Sequence, residues 1–90
     1  MHNQFEIRIS GRVQGVGFRA AARRQARNLR LRGWVENLAD GSVRVVINGD
    51  MENWTQFINW CREGSAYSWV EGIDIVALVP EELGPFEIIY

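Results

Sequence analysis

The sequence predicts an α+β fold of the ferredoxin-like type, in which two helices pack on one face of an antiparallel sheet. Strand-like and helix-like segments follow one another in the order β-α-β-β-α-β, with a short extra strand at the end. An Asp-Gly pair separates the two central strands, as in a hairpin. A chain of 90 residues has room for one core, so we expect residues 1–90 to form a single domain.

The first strand and the first helix flank a glycine-rich segment. Residues 5–9 alternate apolar and polar side chains, which predicts a half-buried strand. Residues 19–30 contain no Gly or Pro and consist of Ala, Arg, Gln, Asn and Leu, which predicts a helix. Its predicted core-facing stripe consists of Phe18, Ala22, Ala26 and Leu29. A second stripe on the same helix consists of Arg19, Arg23, Arg27 and Arg30.

A hairpin is predicted next. Residues 33–37 form its first strand, Asp40-Gly41 its turn, and the β-branched residues 42–47 its second strand. The polar residues 48–50 predict another turn, in which Asp50 caps the following helix.

The last third of the chain predicts a helix and two strands. The helix begins near Met51 and ends at Gly64, and its apolar face consists of Trp54, Phe57, Ile58 and Cys61. Residues 70–79 predict a strand with a bulge at Gly72, and residues 86–89 a short final strand. We assign Trp34 and Trp69 to the core, whereas Trp60 falls off the apolar face of its helix.

Composition excludes several classes of protein. No apolar run is long enough to span a membrane, and the first ten residues lack the hydrophobic stretch of a secretion signal. One cysteine permits no internal disulfide, and one cysteine with one histidine cannot build a conventional zinc site. We therefore expect a cytoplasmic protein, a monomer without metal or cofactor.

The charge is distributed unevenly along the chain. Residues 1–32 hold eight arginines and one acid, a net charge of +7, whereas the remainder carries −8. We expect the two halves to compensate each other in space and the arginine stripe to form a solvated face. The stripe can also attract anionic substrates. An RNA-binding sheet would need aromatic side chains for base stacking, and residues 42–47 have none, so no nucleic-acid partner is expected.

The segment GRVQGVGFR, residues 11–19, has the composition of an anion-binding loop. It lies between a strand and a helix, where glycines let backbone amides curl around an anion and the helix dipole favours negative charge. Arg19 adds a planar guanidinium that matches phosphate oxygens. The glycine spacing fits neither a dinucleotide-binding nor a P-loop motif. A simple strand-to-helix turn is the alternative.

Asn37 is the second candidate residue. In a right-handed β-α-β unit, the carboxyl ends of the two parallel strands lie at the same edge of the sheet. With one strand between them, the glycine loop and Asn37 should be about 10 Å apart. The Asn37 amide can then hold a water or a substrate oxygen, or it can simply bind local backbone in the hairpin.

These residues resemble the two signature segments of acylphosphatases. GRVQGVGFR at 11–19 matches the first, and GWVENLADGSVRVVING at 33–49 matches the second. The resemblance implies hydrolysis of an acyl phosphate to a carboxylate and inorganic phosphate. It implies that Arg19 binds the phosphoryl group together with the loop amides and that Asn37 positions the attacking water. The implied amides belong to Gln14, Gly15, Val16, Gly17 and Phe18.

The absence of a conventional nucleophile fits that reaction. We expect His2 to lie in a frayed terminus and Cys61 to be a buried packing residue. An acyl phosphate has a weakly basic leaving group, so positioning and charge stabilisation can suffice. Metal-independent catalysis on a small-molecule substrate is therefore expected.

The sequence departs from the family's usual pattern in two places. Glu36 stands where a basic or neutral residue is commoner, and strand alternation should point it away from Asn37. Residues 20–22 are all alanine, smaller than is usual after the first motif. The remaining alternative is a non-catalytic anion-binding or regulatory domain, such as an accessory module of a larger protein. Because the chain ends directly after its last strand, we favour a free-standing enzyme.

Overall fold

The computed structural model describes residues 2–90 and confirms the predicted order of elements. The elements are β1 (His2–Arg12), α1 (Phe18–Asn28), β2 (Arg32–Asn37), β3 (Val43–Asp50), α2 (Met51–Glu63), β4 (Trp69–Leu78) and β5 (Glu87–Ile89). The turn predicted at residues 48–50 is wrong. These residues extend β3, because β1 also reaches further than predicted and pairs with them from His2 to Gln4.

The sheet has the strand order β4-β1-β3-β2-β5. Neighbouring strands are antiparallel except β5, which runs parallel to β2, so the prediction of an entirely antiparallel sheet is wrong at this edge. The reason is the path of residues 79–86. β4 ends beside Gln4, at the starting end of β1, and the chain next forms a bridge with Arg32, at the starting end of β2. It has then crossed one end of the sheet and must enter β5 in the direction of β2.

Both helices cover the same face of the sheet, as predicted. The core contains inward-facing residues of β1, β2 and β3 together with Phe18, Ala22 and Ala26 of α1 and Phe57, Ile58 and Cys61 of α2. Trp60 also packs here, with its ring centroid 5.2 Å from that of Phe18 and 5.8 Å from that of Phe57. Trp69 is 70 % exposed, and Trp34 does not pack against this core, so the assignment of these two residues to the core is wrong.

Gly11 belongs to β1, beside a bulge in β4, and not to the glycine loop in which the sequence placed it. Ser10 pairs with Gly72 and Gly11 with Val70, so Glu71 is the extra residue of β4 and a bulge lies next to Gly72, as predicted. Gly11 has φ +121°, and a Cβ on it would lie 2.1 Å from the carbonyl oxygen of Trp69. Glycine is required at position 11 because the neighbouring strand approaches so closely.

At Gly33 the neighbouring strand approaches even more closely, so a substitution there tests whether glycine is required for steric reasons. A Cβ on Gly33 would lie 1.8 Å from the carbonyl oxygen of Val46, at φ +137°. We expect Gly33→Ala to lower the free energy of unfolding by about 3 kcal/mol, measured by urea denaturation. Gly41→Ala is the matched control, since Gly41 has φ +94° but open space around it. It should cost only about 1 kcal/mol. Equal losses in the two variants would contradict the steric explanation.

Candidate active site

The loop between β1 and α1, residues 13–17, meets the end of β2 at one end of the sheet. A pocket of about 150 Å³ opens there, lined by Gly15, Gly17, Phe18, Arg19 and Asn37 among other residues. The structure therefore brings Arg19 of α1 and Asn37 of β2 to one cavity, with β3 between β2 and the strand β1 that leads into the loop. Gln14 and Val16, which the sequence also proposed as phosphate-binding, do not line it.

The loop owes its shape to two glycines in the left-handed region. Gly15 has φ +74° and Gly17 has φ +79°, and Gly17 is also the residue that precedes α1. Left-handed residues next to right-handed ones curl the backbone so that successive N–H groups converge. The first turn of α1 adds N–H groups that have no intrahelical partner, and that turn contains no acid. This end of the loop thus favours an anion.

Arg19 contributes the permanent positive charge of the cavity. Its guanidinium carbon lies 5.1 Å from the ring centroid of Tyr90, a side chain that also lines the pocket. Within residues 2–90, no carboxylate lies within ion-pair distance of Arg19. The guanidinium N–H groups are therefore available to an anion entering the cavity.

Glu36 does not oppose this charge. Its carboxylate accepts a hydrogen bond from Arg44 at 3.3 Å, and the Arg44 guanidinium carbon lies 5.0 Å from the ring centroid of Trp34. Alternation along β2 places Trp34 and Glu36 on the face opposite to that of Asn37. The predicted orientation of Glu36, away from the cavity, is confirmed.

Asn37 presents an unpaired acceptor. Its Oδ1 is buried and has no hydrogen-bond partner among residues 2–90. A buried oxygen without a donor costs about 1–3 kcal/mol, so such atoms are rare unless a ligand or water pairs with them. Asn37 also lines the pocket, so a molecule bound in the cavity could supply a donor to this oxygen.

Gln14 fastens the loop to the hairpin that follows Asn37. Its Nε2 donates hydrogen bonds to the carbonyl oxygens of Leu38 and Ser42, at 2.7 and 2.8 Å. The hairpin is rigid in turn, because Asp40 Oδ1 accepts from both the hydroxyl and the backbone N–H of Ser42. These hydrogen bonds hold the pKa of the Asp40 carboxyl below its usual value. Gln14 therefore fixes the distance between the two halves of the site.

Removing the two hydrogen bonds of the Gln14 side chain should make the anion cavity less rigid. We expect Gln14→Glu, which keeps the shape of the side chain but loses both donors, to weaken binding of inorganic phosphate about tenfold. Titration calorimetry measures this. Gln56→Glu, an exposed position on α2, makes the same charge change away from the loop and should leave the affinity nearly unchanged. Equal weakening in both variants would show that added negative charge, not the loop anchor, controls binding.

Cys61 does not line the cavity. Cys61 is buried in the core, and burial raises the pKa of its thiol. The expectation that His2 lies in a frayed terminus is wrong, because its backbone pairs with Asp50 in β1. That places the His2 backbone at the opposite end of β1 from the loop, about 30 Å along the strand.

Residues 2–90 hold neither a cluster of metal-ligating side chains nor a membrane-spanning helix. Within that part of the chain, no three His, Cys, Asp or Glu side chains come together as metal ligands. Neither α1 nor α2 is long and apolar enough to cross a membrane, and no other helix was found in the described residues.

The sequence analysis missed four cavity residues: Val13 and Ala20, which flank the predicted loop, and two residues near the end of the chain. Ile88 and Tyr90 line the pocket beside Arg19. They arrive there because β5 joins the edge of the sheet next to β2, and no local pattern in residues 86–90 indicates that pairing.

Comparison with known proteins gives a consistent result. A family model described as acylphosphatase matches residues 5–88. An acylphosphatase of Thermococcus kodakarensis is 43% identical over 83 residues, which cover 92% of this chain and 91% of the relative. The crystal structure of an acylphosphatase from Bacillus subtilis is similar, with TM-score 0.94, 35% identity and full coverage of both chains. One from Coxiella burnetii has TM-score 0.93 and 32% identity, over 98% of this chain and 93% of the other.

Proposed function

Because this chain belongs to the acylphosphatase family, we propose that the cavity between the β1–α1 loop and Asn37 is where it performs that family's reaction. The protein is an enzyme that hydrolyses acyl phosphates to a carboxylate and inorganic phosphate. The resemblance found in the two sequence motifs is thereby confirmed, as is the ferredoxin-like α+β fold. The roles of the individual residues are our proposal.

In this proposal the phosphoryl group is held by Arg19 and the backbone amides of Gly15, Gly17 and Phe18, the predicted loop residues that line the cavity. The left-handed Gly15 and Gly17, the start of α1 and the unpaired guanidinium support it. Together they meet the negative charge that spreads over the phosphoryl oxygens in the transition state.

The attacking water is held by Asn37 in the same cavity. The buried, unpaired Oδ1 of Asn37 is the observation that carries this role, because a water O–H supplies the donor that the oxygen lacks. A water fixed beside a bound phosphoryl group reacts as an intramolecular nucleophile and avoids most of the entropic cost of encounter.

The proposed step requires no side-chain base. The water oxygen forms a bond to phosphorus while the bond between phosphorus and the acyl oxygen breaks. The carboxylate leaves without protonation, since it is a weak base, and a phosphoryl oxygen takes the proton of the water. Arg19 and the loop amides supply the positive charge, so we propose that the reaction needs neither metal nor cofactor.

Hydrolysis of benzoyl phosphate in the presence of a chelator tests the proposal, with Arg19→Ala and Asn37→Ala measured alongside the parent. We expect turnover by the parent, loss of binding and rate in Arg19→Ala, and loss of rate alone in Asn37→Ala. A folded parent that binds phosphate without hydrolysing benzoyl phosphate above background would show that the cavity is a non-catalytic anion site.

The domain organisation, oligomeric state, location and partners of the enzyme are also part of the proposal. We propose that residues 1–90 act as one domain, as a monomer in the cytoplasm, on small acyl phosphates and without nucleic-acid or membrane partners. One continuous core and a lone buried thiol support this arrangement. Light scattering on the purified protein tests the monomer, and cell fractionation tests the location.

A further inference from the structure

A shallow depression on α1 adjoins the phosphate cavity. It is lined by Ala20, Arg23, Arg24, Arg27 and Asn28, and Ala20 lines the phosphate cavity as well. Ala20 is exposed, and its side chain is a single methyl group. A ligand can therefore extend from the phosphate cavity across Ala20 without meeting a bulky side chain.

The arginines of this depression differ in whether a carboxylate forms an ion pair with them. Arg27 donates to the carboxylate of Glu87 at 2.8 Å and to the carbonyl oxygen of Phe86 at 3.0 Å. Arg23 and Arg24 have no carboxylate within ion-pair distance among residues 2–90. The acids of the second half of the chain thus compensate Arg27, whereas the two arginines nearest Ala20 keep unpaired charges.

Helix geometry aligns these charges with the phosphate cavity. Arg23 follows Arg19 by four residues and Arg24 follows Ala20 by four, so each lies one turn further along the same face. A spacing of four residues corresponds to about 6 Å along the axis. That is the span of a short acyl group between its carbonyl carbon and a substituent at its far end.

We propose that Arg23 and Arg24 form a subsite for a negatively charged group at the far end of the acyl moiety. The preferred substrates are then acyl phosphates that carry a second anionic group beyond the acyl carbonyl. This inference rests on the proposed function, because it requires the phosphoryl group to occupy the cavity beside Arg19. The small, exposed Ala20 leaves the space across which the acyl group lies.

Two substrates of equal size distinguish the contribution of this subsite from that of the phosphate site. 4-Carboxybenzoyl phosphate carries a distal carboxylate, and 4-carbamoylbenzoyl phosphate replaces it with a neutral amide of the same shape. The ratio of kcat/KM for the two is measured in the parent, in Arg23→Gln/Arg24→Gln and in the matched control Arg30→Gln/Arg62→Gln. Comparing ratios between variants cancels the difference in intrinsic reactivity of the two compounds. Circular dichroism confirms that each variant is folded.

The measured quantity is kcat/KM for the carboxylate substrate divided by kcat/KM for the amide substrate. We expect this ratio to fall about fivefold in Arg23→Gln/Arg24→Gln and to stay unchanged in the control. An unchanged ratio in Arg23→Gln/Arg24→Gln would overturn the subsite. An equal fall in the control would overturn it too, because the preference would then come from the overall field of the protein. A parent that hydrolyses neither compound, nor benzoyl phosphate, would instead refute the proposed function.

Discussion

Arg19→Ala should lower kcat/KM for benzoyl phosphate about 1,000-fold and weaken the binding of inorganic phosphate to the point where it cannot be saturated. The guanidinium is the one side-chain cation that lines the cavity in residues 2–90, and it has no carboxylate partner there that would share the effect. Its contact with the exposed ring of Tyr90 contributes only about 0.5–1 kcal/mol to stability, so the variant should remain folded.

A lysine at position 19 separates charge from geometry. Arg19→Lys keeps the positive charge but loses the planar fork that donates two parallel hydrogen bonds to phosphate oxygens. We expect it to recover some phosphate affinity while its kcat stays about 100-fold below that of the parent. Arg30→Ala, beyond the end of α1, is the control for loss of one arginine and should keep nearly full activity. Activity of Arg19→Ala within tenfold of the parent would contradict the assigned role.

Asn37→Ala should lower kcat about 100-fold while the affinity for inorganic phosphate changes less than about threefold. Asn37 is assigned to the water and not to the phosphoryl group, so its removal affects the rate and spares the binding. The stability of Asn37→Ala provides an independent test of this assignment. Because the Oδ1 is buried without a partner in residues 2–90, deleting it should leave the free energy of unfolding unchanged or raise it by up to about 1 kcal/mol.

Asn37→Asp tests the same role with an isosteric side chain. The carboxylate keeps an acceptor for the water but places a negative charge in the cavity, so we expect weaker phosphate binding as well as a lower rate. Inhibition by phosphate, measured together with kcat in both variants, distinguishes the two effects. A joint loss of stability and phosphate affinity in Asn37→Ala would mean that the residue supports the fold of the loop instead.

Local patterns were enough to predict most elements and the two principal residues of the site. The stripe of Phe18, Ala22 and Ala26 is buried as the helical spacing indicates, and Gly64 ends α2. Asn37 could be placed near Arg19 because the handedness of β-α-β units puts both strand ends at one edge. Such features depend on short segments and on general rules of chain geometry.

Contacts between residues that are far apart in the sequence explain what the sequence analysis got wrong. Gly11 looks like a loop glycine, yet its requirement comes from the carbonyl of Trp69 on another strand. Tyr90 reaches the cavity only because residues 79–86 cross the end of the sheet before β5 forms. The two hydrogen bonds of the Gln14 side chain likewise connect segments 24 and 28 residues apart. None of these contacts leaves a periodic or compositional signal in its own segment.

The central claim is that a water held by Asn37 attacks the phosphorus of a substrate held by Arg19 and the loop. Hydrolysis of benzoyl phosphate in ¹⁸O-labelled water, under single-turnover conditions, tests it most directly. Attack at phosphorus predicts that the label appears in inorganic phosphate and that the benzoate remains unlabelled. Label in the benzoate would show that water attacks the acyl carbon, and the assignment of Asn37 and Arg19 to a phosphoryl-transfer site would be wrong.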